Sequence, residues 1–213
     1  MSKLEENKLH FIIKEAKRLM LSSSIEEVTM SLLAKDIGLG EATLYRYFGK
    51  KENIVIRVAI SMWEDIAKKY FEDSRITQDL TGIECIRTYL EAFKELYEED
   101  IKFILFIQNF DNYIQKSGMQ LKQLNQYDKL FEDMKKRFAV YFKKGVDDNT
   151  IRNDIDSEVY YYATTHSIQN LIVKLASKPI IEADVKVNHL QQIQMTIDAF
   201  ILLISKKEQS NEI

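Results

Sequence analysis

Thr29-Met-Ser-Leu-Leu-Ala-Lys-Asp-Ile-Gly-Leu-Gly-Glu-Ala-Thr-Leu-Tyr-Arg-Tyr-Phe-Gly-Lys-Lys51 is the stretch from which the rest of the chain can be read. Leu33, Ala34 and Ile37 recur at helical spacing, so the first part is a short helix with one buried face. Ala34 is small where two helix axes must cross closely. Gly38 follows four residues later, where the chain has to reverse; a left-handed backbone there is open to glycine and costly for a branched side chain. Leu39 plugs the turn, and Gly40 is an acceptable N-cap for a second helix. In that helix Leu44 and Tyr47 (or Phe48) point back to the first. Glu41, Ala42, Thr43, Tyr45 and Arg46 then face outward, and such short, polar or aromatic groups reach base edges and phosphates. Two short helices across a glycine-bearing turn make the geometry that lays a second helix in the DNA major groove.

The flanks agree with this reading. Leu4, Ile12, Ile13, Ala16, Leu19 and Met20 lie near one stripe of a helix over 4–22, which would pack across the two motif helices. Ser22, Ser23 and Ser24 end it by competing for backbone hydrogen bonds. Thr29 is the expected N-cap of the first motif helix. The run Thr43-Leu-Tyr-Arg-Tyr-Phe48, followed by Lys50-Lys51-Glu52, closely resembles the end of the helix-turn-helix in the TetR family of bacterial transcriptional regulators. The resemblance covers about residues 9 to 57; beyond them it is one of length and helix pattern.

That resemblance implies a ligand-responsive DNA-binding regulator, most often a repressor, that acts as a dimer. Carried over residue by residue, Thr43 matches the hydroxyl position of the recognition helix. Tyr45 and Tyr47 match an aromatic pair that packs on the DNA backbone, and Lys51 matches a phosphate lysine. Thr29 and Ser31 match the phosphate-contacting end of the first motif helix, although many members carry a basic residue where Ser31 stands. Glu41, Ala42 and Arg46 fall on the base-facing side, where members differ. By chemistry alone Arg46 could grip a guanine or a phosphate, and Glu41 could accept from a cytosine amine or complement its own helix N-terminus. A two-fold dimer implies a near-palindromic operator with half-sites about one turn, ~34 Å, or a multiple of it apart.

Composition sets the class of the remainder. One Pro and six Gly in 213 residues, with 46% hydrophobic and 30% charged residues, fit an all-α chain of about nine helices. No sustained alternation bounded by turn clusters indicates a strand. Residues 1–49 would form a three-helix headpiece and 50–213 a larger effector-binding and dimerisation domain. A long helix over 50–73 leaves the headpiece, a polar break spans Arg75 to Gly82, and helices follow at 82–98, 100–116, 119–145, 156–177 and 187–205. Asp156 is a natural N-cap, Pro179 closes the penultimate helix region, and the tail from Lys206 is polar and frayed. The last two long helices, with Val159, Ile168, Leu171, Ile172, Ile193, Ile197, Phe200, Ile201 and Leu203, carry more apolar surface than one core needs, which points to self-association through them, with burial inside one subunit as the alternative.

The charge balance is modest. Residues 1–55 hold nine basic and eight acidic residues, a surplus of one, which leaves −4 for the remainder of a chain whose net charge is −3. Operator binding therefore needs two copies of the motif, with hydroxyl and backbone contacts to phosphate. Phe103, Phe106, Phe110 and Tyr113 make an aromatic stripe that reads as plain core or as the wall of an apolar cavity. Trp63, Phe131, Asn109, Tyr127, His166 and Gln169 are the further candidates for lining a site for a small apolar or amphipathic effector. His166, beside Thr164, Thr165 and Ser167, also reads as an ordinary interior histidine. No metal-ligand spacing, nucleotide fingerprint or nucleophile elbow is present, so no cofactor and no catalytic residue are expected. The lone Cys85 reads as core filler in a reducing compartment. No signal-peptide pattern and no apolar run near ~20 residues occur, so a cytoplasmic protein without a membrane anchor is expected. Two other readings stay open: a helical interaction or ligand-binding module whose headpiece does not read DNA, and an enzyme built around His166.

Overall fold

The structure is a computed structural model that describes residues 3–72, 76–77, 79–119, 124–179 and 182–206. Apolar residues at helical spacing, with few Gly or Pro to interrupt them, give a helical succession: α1 (Lys3–Ser22), α2 (Met30–Ile37), α3 (Glu41–Phe48), α4 (Lys51–Tyr70), α5 (Gly82–Glu99), α6 (Ile101–Ser117), α7 (Asn125–Asp147), α8 (Ser157–Ala176), the four-residue α9 (Ala183–Lys186) and α10 (His189–Ile204). Among the described residues there is no strand; an isolated antiparallel bridge joins Ile151 to Ser205.

Helix ends follow local chemistry. The Asp156 carboxylate accepts from the N–H groups of Glu158 and Val159, as an N-cap should. Thr81 and Glu84 form a reciprocal capping box at the start of α5. The Ser177 N–H closes α8 on the Val173 carbonyl, two residues before Pro179. Residues 120–123, at the start of the helix expected over 119–145, lie outside the described residues. So do Arg75 and Gln78 of the expected polar break, and the tail beyond Lys206.

The chain forms two compact units, Met1–Ala67 with Lys102–Leu130, and Lys68–Ile101 with Phe131–Ile213. In the first, Ile12, Ala16, Leu33, Leu44, Phe48, Ile54, Val55 and Val58 are buried, so α1 to α4 share one core. In the second, α5, α8 and α10 pack on one another around Ile86, Leu90, Phe93, Ile168, Ile193 and Ile197. Cys85 is buried there, where burial pushes its thiol pKa up, in keeping with a packing role.

The second unit is pinned where α5 begins. A Cβ added to Gly82 would stand 1.9 Å from the Gly145 nitrogen on α7, so the two backbones meet where no side chain fits. The Gly82 N–H donates to Asp148 at 2.7 Å and the Ile83 N–H to the Thr150 hydroxyl at 3.2 Å, which satisfies donors left over at the first turn of α5. From the same loop Ile151 donates to the Gly145 carbonyl and Arg152 to the Ile204 carbonyl, tying in the end of α10. Burial opposes ionisation of Asp148, but bonds from the Thr150 hydroxyl and the Gly82 and Thr150 N–H groups outweigh it and hold the carboxyl below its usual range.

Two outcomes are expected. Gly82→Ala forces the helices apart and costs about 1–3 kcal/mol or more, as overpacking does; thermal unfolding should show a midpoint lower by about 2–4 °C for each kcal/mol. Because the folded-state pKa of Asp148 is depressed, its contribution is present above the unfolded carboxylate value of about 3.9 and is lost as pH falls through the folded value. Urea titrations should therefore find Asp148→Asn less stable than the parent at pH 7, with the difference shrinking as the pH drops below about 4.

Candidate nucleic-acid interface and effector site

The headpiece is set by its turns. Thr29 is extended (φ −86°, ψ 162°) and its hydroxyl accepts from the Leu32 N–H at 3.0 Å, so α2 starts on a side-chain cap. Gly38 is left-handed at φ 68° and ψ 31°, and the Leu39 N–H reaches back to the Ala34 carbonyl at 2.9 Å, the six-to-one bond of a Schellman ending. Gly40 then caps α3 without a side-chain bond. At the far end Gly49 has a positive φ of 73°, and the Asn53 amide donates to the Phe48 carbonyl at 2.6 Å.

This chain path fixes which face of α3 is left outside. Leu44 and Phe48 are buried against α2, so Phe48 and not Tyr47 supplies the second inward contact. Phe48 lies one turn beyond Leu44, whereas Tyr47 sits on the shoulder of the helix. Glu41, Ala42, Tyr45 and Arg46 are exposed, with Thr43 and Tyr47 half-buried; Ser31 and Thr29 are exposed on and beside α2. The Arg46 guanidinium and the Lys8 ammonium flank the Tyr47 ring at 5.2 and 5.8 Å, which gathers positive charge around it.

Lys51 has a setting that sequence spacing does not reveal. Its half-buried ammonium donates to the Glu26 carbonyl at 3.1 Å and lies 5.2 Å from the centre of the Tyr113 ring on α6. The Tyr113 hydroxyl donates in turn to Glu52 at 3.4 Å. Burial lowers the Lys51 pKa against the opposing pull of Glu26 and Glu52. Burial and the Glu52 charge push Tyr113 up to about 12. Thr29 and Lys51 border one packed crevice with Met30 and Leu33, too narrow to admit a water molecule.

Of the expected effector residues, those in the first unit form an aromatic cluster. Trp63, Phe103, Phe106 and Phe110 are buried. The Trp63 ring meets Phe103 edge-on at 4.8 Å, while Phe110 packs on Tyr127 at 5.1 Å. The Trp63 indole N–H donates to the Tyr127 hydroxyl at 3.0 Å, which puts a bonded polar pair inside an apolar surround. Asn109 does not join them; it is exposed on the opposite side of α6. Phe131, His166 and Gln169 belong to the second unit. His166 is exposed and not interior: its ring rests on Tyr162 at 5.5 Å. The neighbouring Thr164 and Thr165 take the buried face of α8 and bond back to the carbonyls of Tyr160 and Tyr161.

Sequence reasoning missed a cavity of about 400 Å³ in the second unit, between the end of α8 and the start of α10. Leu171, Leu175 and Val187 give it apolar walls, with Lys174, His189 and Gln192 among its polar ones. His189 is held by Tyr97 at 2.6 Å. None of these side chains carries a motif; the cavity forms where the end of α8 and the start of α10 come together. Among the described residues, no three His, Cys, Asp or Glu side chains are grouped to hold a metal ion, and no helix is long and apolar enough to cross a membrane.

Comparison with known proteins bears on this arrangement. Residues 12–58 match the model of the bacterial regulatory proteins, tetR family. No curated protein matches the sequence. Among solved structures, the chain is similar to the regulator FadR from Bacillus subtilis in complex with stearoyl-CoA (TM-score 0.65, 18% identity, 89% of this chain and 96% of that one). It is also similar to the ketosteroid transcriptional regulator KstR2 of Mycobacterium tuberculosis (0.62, 14%, 94% and 96%) and to the TetR family regulator PfmR from Thermus thermophilus (0.60, 19%, 90% and 97%). At these identities the likeness is one of fold, and it spans nearly the whole chain. Residues 12–58 are thus a domain of the tetR family of bacterial regulatory proteins, and the chain that carries it is a DNA-binding transcriptional regulator with the fold of that family.

Proposed function

We propose that the chain acts in the bacterial cytoplasm as a two-fold dimer that presents two α3 helices to a near-palindromic operator, represses from it, and is released by a small apolar or amphipathic effector. The observation that carries this reading is the headpiece itself. α3 buries Leu44 and Phe48 and turns Glu41, Ala42, Tyr45 and Arg46 outward, while Thr29, Ser31 and Lys51 stand at or near the starts of α2 and α4. In this reading Tyr45 and Tyr47 pack on the backbone, Thr29, Ser31, Thr43 and Lys51 meet phosphates, and Glu41, Ala42 and Arg46 face bases. The domain boundary then falls at residue 49, with 50–213 serving the effector and the partner subunit.

Dimerisation is supported by apolar surface that one chain leaves uncovered. Val159 on α8 and Met195, Leu202 and Leu203 on α10 are 66%, 74%, 76% and 52% exposed, although the opposite faces of both helices are core. A DNA-binding end whose residues 1–55 carry a surplus of only one positive charge also needs doubling to hold DNA at physiological salt. For the effector, the Trp63–Tyr127 pair inside its aromatic surround is the candidate contact, since an apolar site needs a few polar groups to orient what it binds. The bound stearoyl-CoA of the FadR structure shows that a regulator of this fold can take an amphipathic ligand. α4 begins at the headpiece and is continuous to Tyr70, so a pivot of this helix would change the α3 spacing. A coupling of ~1–3 kcal/mol would lower operator affinity ~5–150-fold.

Selection from a random duplex pool at near-physiological salt tests the reading. A near-palindrome should be enriched, and the enrichment should vanish with Tyr45→Ala; retention of DNA with no preferred sequence would sink it. Leu202→Glu should convert the dimer to a monomer in sedimentation and abolish operator binding at concentrations where the parent is saturated. A variant that remains dimeric would remove α10 from the subunit interface.

A further inference from the structure

We propose that Tyr113 on α6 is the positioning residue for Lys51, fixing the direction from which this lysine meets a DNA phosphate. The inference rests on the DNA-binding reading above and adds to it a residue outside the headpiece. A lysine ammonium is a compact charge on a flexible four-carbon stem, and free in water it samples many directions. Here two groups confine it. The Glu26 carbonyl accepts from it at 3.1 Å on one side, and the Tyr113 ring stands 5.2 Å away on another. The electron-rich face of a tyrosine attracts a cation. The Tyr113 hydroxyl also reaches Glu52, the residue next to Lys51, but at 3.4 Å this is a long bond, and the ring itself carries the contact with the lysine. An ammonium has three N–H donors. With one on Glu26 and the ring covering one flank, the remaining donors are those left for a phosphate.

The same contact gives α6 a hand on the DNA face. Phe103, Phe106 and Phe110 are buried, and Tyr113 continues their stripe at the next turn of the helix. All four residues, together with Lys51, lie in the first compact unit. A group that spread the Trp63–Phe103 and Phe110–Tyr127 contacts by displacing α6 would carry the Tyr113 ring away from the lysine. Loss of a phosphate contact would then follow without any change in α3.

The test uses the full chain on the operator recovered by selection, with affinity measured against salt concentration. Each phosphate contact contributes about 0.9 to the slope of log K against log salt. Lys51→Met and Tyr113→Leu should each lower the slope by that amount per subunit, and the double variant should lower it no further. Tyr113→Phe keeps the ring and should keep the parent slope. A separate measurement on the unmutated chain is the ring-current shift of Lys51 after ¹³C reductive methylation, its resonance assigned by its disappearance in Lys51→Met; an upfield position is expected. An unchanged slope in Tyr113→Leu, an additive fall in the double variant, a loss in Tyr113→Phe, or an unshifted Lys51 resonance would each overturn the proposal. Failure of the parent chain to select any operator would instead overturn the DNA-binding reading beneath it.

Discussion

The geometry of the headpiece depends on one backbone state, the left-handed residue at Gly38. There the first motif helix stops, two carbonyls of its last turn are satisfied, and the chain leaves in the direction that lets Leu44 and Phe48 return to the α2 face. A residue with a Cβ meets no neighbour at this position, so the demand for glycine is one of backbone conformation and not of space. Everything α3 presents outward follows from that exit angle, because a helix that buries two residues one turn apart has no choice about its opposite face.

The second unit rests on the opposite kind of glycine. Gly82 and Gly145 have ordinary negative φ, and what they supply is room: a methyl group on Gly82 would collide with the α7 backbone, and one on Gly145 with the Ile151 side chain. The loop after α7 uses that proximity. Its Asp148 and Thr150 satisfy the first N–H groups of α5, and its bridge to the end of α10 joins three helices through one short segment. The same segment ties the end of α10 into the core that α10 shares with α5 and α8.

Two features separate this chain from a generic basic DNA binder. Its headpiece is close to neutral, so cationic groups matter individually. Arg18 is already committed to Glu15 and Asp36, and Lys17 to Asp65. Lys8 and Arg46 gather at Tyr47, and Lys51 is framed by Glu26 and Tyr113. Positive charge in the headpiece is thus placed by neighbours, in agreement with an interface that works by direction more than by field strength.

The helical class, the two motif helices, the Thr29 and Asp156 caps, the Gly38 turn and the inward Leu44 were legible in the sequence. Each is a local matter of propensity, periodicity or a side chain meeting its own backbone within four residues. Tertiary structure decided the rest. Tyr47 and Phe48 are neighbours of similar character, and only the docking of α3 on α2 turned Phe48 inward. His166 and Asn109 lie on helices whose buried faces are set by what packs against them, and both are exposed. Lys51 and Tyr113 stand 62 positions apart and Gly82 and Gly145 stand 63 apart. No local pattern encodes such a meeting, because it depends on how whole helices are stacked and not on the spacing of residues along one of them.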